Sequence, residues 1–189
     1  MGKKGIIGII VLVVVIILIA VPISTYNSLV SMQTAVEEQG ANIDSQLQRR
    51  MDLIPNLVET VKGFTAHETE VFDAVTSARE NMMAAGDMAE KSAANEEMTG
   101  ALNRLIAVAE AYPELKSDTV YVGLMDELAG TENRISYART EYNAAVTSYN
   151  MAIRKFPGNI FAGIFGFEKA DFFEAAEGAE AVPEVNFEQ

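Results

Sequence analysis

GIIGIIVLVVVIILIAVPI, residues 5–23, contains no charged or polar side chain, and no charge comes after it until Glu37. At 1.5 Å per residue the run from Gly5 to Val21 spans roughly 25 Å, and Pro22-Ile23 extends it towards a hydrocarbon core of about 30 Å. A helix of a soluble core would break such a run with polar residues on its solvent face. The stretch therefore predicts one transmembrane helix over residues 5–23. A signal peptide has a shorter apolar region, about 7–15 residues, ending in small residues at a cleavage site. Val21-Pro22-Ile23 offers no such site, so the segment is expected to stay as an anchor. The chain has no cysteine, which excludes a lipoprotein signal, disulfides, thiolate nucleophiles and cysteine metal sites.

Residues 1–4 carry Lys3 and Lys4, and the next basic residues are Arg49 and Arg50, with Glu37, Glu38 and Asp44 between. The positive-inside rule then puts the N-terminus in the cytoplasm and the rest of the chain on the other side of the membrane. Fourteen Lys and Arg face 27 Asp and Glu, a net charge of −13. Such a surface repels nucleic acid, so none is expected as a partner.

From Tyr26 the sequence advances in alternating steps of three and four: Tyr26, Leu29, Gln33, Val36, Gly40, Ile43, Leu47, Arg50, Ile54, Leu57, Val61, Phe64, Glu68, Val71, Val75, Ala78 and Met82. Most of these are apolar among polar neighbours, the pattern of a long amphipathic helix with a bundle seam. Pro55 interrupts it. Proline deletes a backbone donor and crowds the preceding turn, so the helix is expected to kink or to reverse there. Asp87 with Glu90 forms a capping box for a new helix through Met98, Leu102, Leu105, Ile106, Ala109 and Tyr112, which Pro113 stops. A third periodic stretch runs from Tyr121 through Leu128, Ile135, Tyr142 and Tyr149 to Phe156, and Pro157-Gly158 ends it.

These readings give an all-α fold: one N-terminal transmembrane helix, then an antiparallel up-and-down bundle of four helical segments, the first two divided at Pro55. The parts are a basic N-terminus at 1–4, the anchor at 5–23, the bundle at 24–156, a Phe/Gly-rich segment at 157–174 and an acidic tail at 175–189. The Phe/Gly-rich segment has two readings, a cap on the end of the bundle or a membrane or partner contact. The tail, without a basic residue, reads as disordered.

Several blocks are distinctive. Tyr26-Asn27-Ser28-Leu29-Val30 comes directly after the anchor, and behind it stand QLQRRMDLIPNLVETVKGFTAHE (46–68), RLIAVAEAYPELK (104–116), TENRISYARTEYNAAVTSYNMAIRKFPGNI (131–160) and GFEKADFFE (166–174). In this order they resemble the LemA family over about residues 26–174. The resemblance implies a bacterial single-pass membrane protein with an antiparallel helical bundle and no established biochemical activity. Some relatives are associated with magnetosomes, which points to assembly or membrane organisation. Residues 83–97 match none of the blocks and read as an interhelical loop.

Single features carry little chemistry. His67 is the only histidine, and a catalytic metal ordinarily takes three protein ligands; beside Glu59, Glu68 and Glu70 it reads as a surface or capping residue. Arg49-Arg50-x-Asp52 would suit a phosphate, or a helix end at which Asp52 caps the next helix. Arg50 also falls on the seam, where Glu132 or Glu141 would be its buried partner. Thr131-Glu132-Asn133-Arg134 reads as salt bridging on a helix. No glycine-rich phosphate loop or nucleophile-base pair is present. No catalytic, cofactor-binding or metal-binding residue is assigned, and no cofactor or enzymatic activity is expected.

Interaction residues are assigned instead. Tyr142-Asn143 and Tyr149-Asn150 stand seven residues apart and so share a helix face, where tyrosine fills a core and asparagine bonds across to another helix. A ligand groove is the other reading. Gln33 and Gly40 occupy seam positions near the anchor, a polar residue that fixes register and a glycine that permits close approach. If the helix continues through Pro55, that stretch of seam lies beyond the later helices and must find cover elsewhere, for which another copy is the expectation. The function expected is structural or scaffolding, by self-association into a homo-oligomer or by binding protein partners at the membrane. The alternative is an anchored ligand-binding, sensor or accessory module of the cell envelope.

Overall fold

A computed structural model of the chain describes residues 3–65 and 68–173, with backbone alone for residues 3–6. Its elements are α1 (Lys3–Lys62), α2 (Thr69–Ala84), α3 (Met88–Glu110), α4 (Pro113–Lys116), α5 (Thr119–Arg154) and α6 (Gly158–Phe165). The fold is all-α, with no strand among the described residues.

One detail of the expected layout is corrected. The first two segments are not divided at Pro55, because α1 runs unbroken through it to Lys62. Pro55 is exposed, so its ring displaces no core side chain. Its missing N–H would have served the carbonyl of Met51, four residues back. That carbonyl instead accepts the Arg79 Nε–H at 3.2 Å from α2. The first break falls after Lys62, where Gly63 and Thr65 close the helix end by donating to the Glu59 and Val61 carbonyls. Replacing Arg79 with alanine is expected to cost about 1.5–2 kcal/mol, the lower part of the range for a hydrogen bond to a charged group. In a Pro55→Ala background the same change should cost less, since alanine at that position supplies the missing donor; urea unfolding of the four variants measures the coupling.

The capping box forms as expected: Glu90 N–H donates to Asp87 Oδ1 at 2.8 Å, and the Glu90 carboxylate accepts from the Gly86 and Asp87 backbone. The loop expected over residues 83–97 is corrected to residues 85–87. Beyond it Ser92, Ala94, Asn95 and Met98 are buried on one face of α3. Asp118 caps α5 through the Val120 and Tyr121 N–H groups, each 2.9 Å away.

The chain divides into two compact units. One draws on residues up to Gly40 and on Glu141–Ala170; the other on Ala41–Thr140 and the chain from Asp171. In the second unit α1 gives Ile54, Leu57 and Val61, α2 gives Phe72, Val75 and Ala78, α3 gives Met98, Leu102 and Leu105, and α5 gives Tyr121 and Leu128 to one core. In the first unit the apolar start of α1 is long and apolar enough to cross a membrane, and none of it is buried in the chain.

The three-four pattern is realised along α1. Leu29, Val36, Gly40, Ile43, Leu47, Arg50, Ile54, Leu57 and Val61 are buried, whereas Tyr26 and Gln33 are exposed. The expectation that an unbroken α1 leaves its early seam to another copy is overturned, since Leu29 and Val36 are buried within this chain. The physical reason lies in the first unit, which joins the end of α5 and the segment after it to the early part of α1.

Candidate functional site

The first unit carries the second tyrosine-asparagine pair. Both Tyr149 and Asn150 are buried near the end of α5. Tyr149 donates its hydroxyl to the Glu168 carbonyl at 2.8 Å. Burial, with the charges of Glu168 and Glu37 adding to it, raises the Tyr149 pKa, so the phenol keeps the proton it donates. Asn150 makes two bonds to one residue: its Nδ2 donates to the Ala170 carbonyl at 2.8 Å, and its Oδ1 accepts the Ala170 N–H at 2.9 Å. A side-chain amide thus pairs with the backbone of an irregular segment as a neighbouring strand would. The asparagine was expected to reach another helix; it holds the C-terminal segment instead, because residues 166–173 are not helical.

Two glycines let that segment turn back. A Cβ on Gly158 would collide with the Ala152 backbone carbonyl, so Gly158→Ala forces a backbone shift and is expected to cost about 1–3 kcal/mol in thermal or urea unfolding. Gly166 ends α6 in the left-handed conformation, φ 76°. The Gly166 and Phe167 N–H groups both bond the Ala162 carbonyl, at 2.9 and 3.0 Å, which closes the turn. Phe165 and Phe167 then meet Tyr26, with ring centroids 4.9 and 5.8 Å apart. Gln33, Val36, Glu37, Tyr149, Phe167 and Glu168 line a cavity of about 390 Å³ beside the clamp.

The second unit carries a polar centre on Arg50. Its guanidinium is buried and donates to Asn95 Oδ1 at 2.6 Å and Thr99 Oγ at 3.0 Å, both on α3. Glu132 on α5 lies 3.1 Å from Nη1, the partner that the seam position suggested. Burial lowers the Arg50 pKa and the Glu132 charge opposes that shift, leaving the group charged. Among the described residues Arg50 Nε and Glu132 Oε2 have no hydrogen-bond partner, although Oε2 is the oxygen in the ion pair with Nη1. A cleft of about 220 Å³ opens beside them, with Leu102, Ile106, Met125 and Leu128 on its walls. The reading of Arg49-Arg50-x-Asp52 as a helix end is corrected, because α1 continues: Arg49 pairs with Glu127 at 2.6 Å and Asp52 accepts from Gln48 at 2.8 Å. Arg49's hydrogen bond and charge hold the Glu127 carboxyl below its ordinary pKa.

Of the other residues singled out, Tyr142 and Gly40 are buried, Asn143 is half-buried, and Gln33 is exposed and donates to Glu37 at 3.3 Å. His67 and the tail from residue 174 lie outside the described residues. Among the described residues no three His, Cys, Asp or Glu side chains gather as a metal site. The sequence reading missed Asn95 and Thr99. Asn95 stood on the apolar face of α3, three residues from both Ser92 and Met98, and a polar residue at a core position was the signal.

The sequence pattern of the LemA family matches residues 39–187. Among curated proteins the chain is 30% identical to magnetosome proteins MamQ 1 and MamQ 2 of Paramagnetospirillum magneticum, over 82% of this chain and 67% of each relative. It is 29% identical to magnetosome protein MamQ of Magnetospirillum gryphiswaldense, over 78% of this chain and 64% of that one. Protein LemA of Metamycoplasma hominis is 24% identical, over 80% of this chain and 69% of its own length.

Proposed function

Because this chain belongs to the LemA family, we propose that it is a single-pass bacterial membrane protein with a structural role, a scaffold that engages copies of itself or other proteins at the membrane. The observation that carries this reading is α1 itself. One helix begins with an exposed apolar stretch fit to cross a bilayer and continues, from Leu29, as a buried seam. A protein partner suits the likeness to magnetosome proteins, whose name refers to an organelle that must be assembled.

Anchoring is tested by alkaline carbonate extraction: the chain stays in the membrane pellet, and release at full mass would make the contact peripheral. With Lys3 and Lys4 inside, the bundle faces away from the cytoplasm, so protease added to intact spheroplasts removes it; full protection places it in the cytoplasm. The scaffold role is tested by the mass of the detergent-purified chain. Large particles of defined size support it, and a monomer at all concentrations refutes self-association. Gln33 is the exposed position among the residues assigned to contacts. A cysteine there, in a chain that has none, should crosslink between copies more than one at Glu38; equal yields would remove this face from the contact.

The Arg50 cleft favours a second reading, a module that binds a small ligand with polar groups for Arg50 and Glu132 and an apolar body for the walls. Ala129 is exposed at the rim of that cleft. Native mass spectrometry of the purified chain should then show a bound small molecule, lost in Ala129→Trp; an unliganded mass in both counts against it.

A further inference from the structure

We propose that α6 lies in the headgroup region of the bilayer as a second, interfacial contact, with Phe156, Ile160 and Ile164 inserted among the lipids; this rests on the reading that α1 crosses the membrane. The sequence of α6, GNIFAGIF, is too short to span but strongly two-sided. Gly158 and Ala162 are its buried residues. Ile160 and Ile164 stand on its other side, 49% and 66% exposed, and Phe156, just ahead of the helix, is 81% exposed. Residues four apart fall on one stripe of a helix, so the two isoleucines act together and not as scattered surface residues. A contiguous apolar stripe facing water is costly, at roughly 25 cal/mol per Å², and normally marks a contact surface.

The level at which α6 is held decides what covers the stripe. Phe165, its last residue, packs on Tyr26 with ring centroids 4.9 Å apart. Tyr26 lies three residues beyond Ile23, the end of the apolar run, hence about 4.5 Å further along the helix axis. If residues 5–23 fill the hydrocarbon core, Tyr26 sits at the level of the headgroups, where tyrosine is favoured, and it fixes α6 within a ring's width of that level. Arg154 and Lys155, both exposed, directly precede Phe156. They are basic residues next to an apolar stripe in an otherwise acidic chain, and long side chains of that kind reach phosphates while the stripe enters the acyl boundary. The clamp of Tyr149 and Asn150 on Glu168 and Ala170 anchors the chain on the far side of α6. The helix is thus held beyond its C-terminal end by these contacts and at its start by the close packing of Gly158 on the Ala152 carbonyl, and its apolar side is left to the lipid.

The absence of cysteine allows single labelled positions in the full-length chain. An environment-sensitive fluorophore is attached to Ile160→Cys, Ile164→Cys, Leu12→Cys in the span and Ser148→Cys on the exposed side of α5, each reconstituted in phosphatidylcholine/phosphatidylglycerol vesicles. The expected result is a blue shift at 160 and 164, with loss of most of their intensity when the lipids carry bromine at shallow acyl positions and little loss to aqueous iodide. The label at 148 behaves in the opposite way, and the label at 12 responds to deep bromines. Quenching by iodide at 160 and 164 while 12 stays lipid-protected overturns the interfacial contact and leaves the anchor standing. Protection from both quenchers at 160 and 164 means that a protein covers the stripe, which also overturns it. Iodide quenching at 12 would sink the anchor itself, and the interfacial contact with it.

Discussion

Tyr149→Ala is expected to lower the unfolding free energy by about 3–5 kcal/mol, as truncation of a buried aromatic does. The side chain is 3% exposed, and its hydroxyl is the bond that holds the Glu168 carbonyl. Tyr149→Phe keeps the ring and loses that bond, so it should cost roughly 1 kcal/mol. Asn150→Ala removes both bonds to Ala170, about 1–3 kcal/mol in all. The asparagine change is the more local of the two, because it frees the C-terminal segment while leaving a core aromatic in place. Limited trypsin digestion of the detergent-purified chain reads this directly: Lys169, exposed between the two held carbonyls, should be cut sooner in Asn150→Ala than in the parent. Urea unfolding that shows a loss under about 0.5 kcal/mol for Tyr149→Ala, the range of an ordinary surface change, would place the ring outside the core and revive the groove reading.

Arg50→Ala is expected to cost about 3–5 kcal/mol. The substitution empties the space of a long buried side chain and leaves the buried Asn95 amide without its 2.6 Å donor. Glu132 is half-exposed and turns to water, so it adds little to the loss. The reverse truncation, Glu132→Ala, leaves a buried guanidinium with two neutral partners and should cost roughly 2 kcal/mol, since part of the ion pair was already solvated. Arg50→Lys keeps the charge but not the planar fork that reaches Asn95 and Thr99 at once, and should fall between Arg50→Met and Arg50→Ala. Arg50→Met conserves volume and is expected to be the mildest of the three. Urea unfolding ranks them. If Arg50→Met were as damaging as Arg50→Ala, lost hydrogen bonds and not lost volume would dominate at this centre.

The sequence by itself determined the apolar start of α1 and the helices. An unbroken apolar run over residues 5–23 admits one structure in a bilayer that satisfies its own backbone, and a three-four alternation admits one face of a helix. Local chemistry was equally legible: the Asp87–Glu90 box and the stops at Pro113 and Pro157 act within a few residues of themselves. Arg50 on an apolar seam announced a partner, and Glu132 was one of the two named for it, although its side chain is half-exposed and not buried. The misreadings involved groups far apart in the chain. Pro55 removes a donor whatever surrounds it, but whether the helix ends there depended on Arg79, which brings a replacement donor to the Met51 carbonyl from α2. Asn150 showed that an amide wanted a partner, yet only the turn at Gly158 and Gly166 brought the Ala170 backbone to it. Periodicity tells which face of a helix is buried; it carries no information about what covers that face, because coverage is a property of pairs of segments. The tertiary structure therefore decided that Leu29 and Val36 are covered by this chain itself, and that Phe156, Ile160 and Ile164 are not.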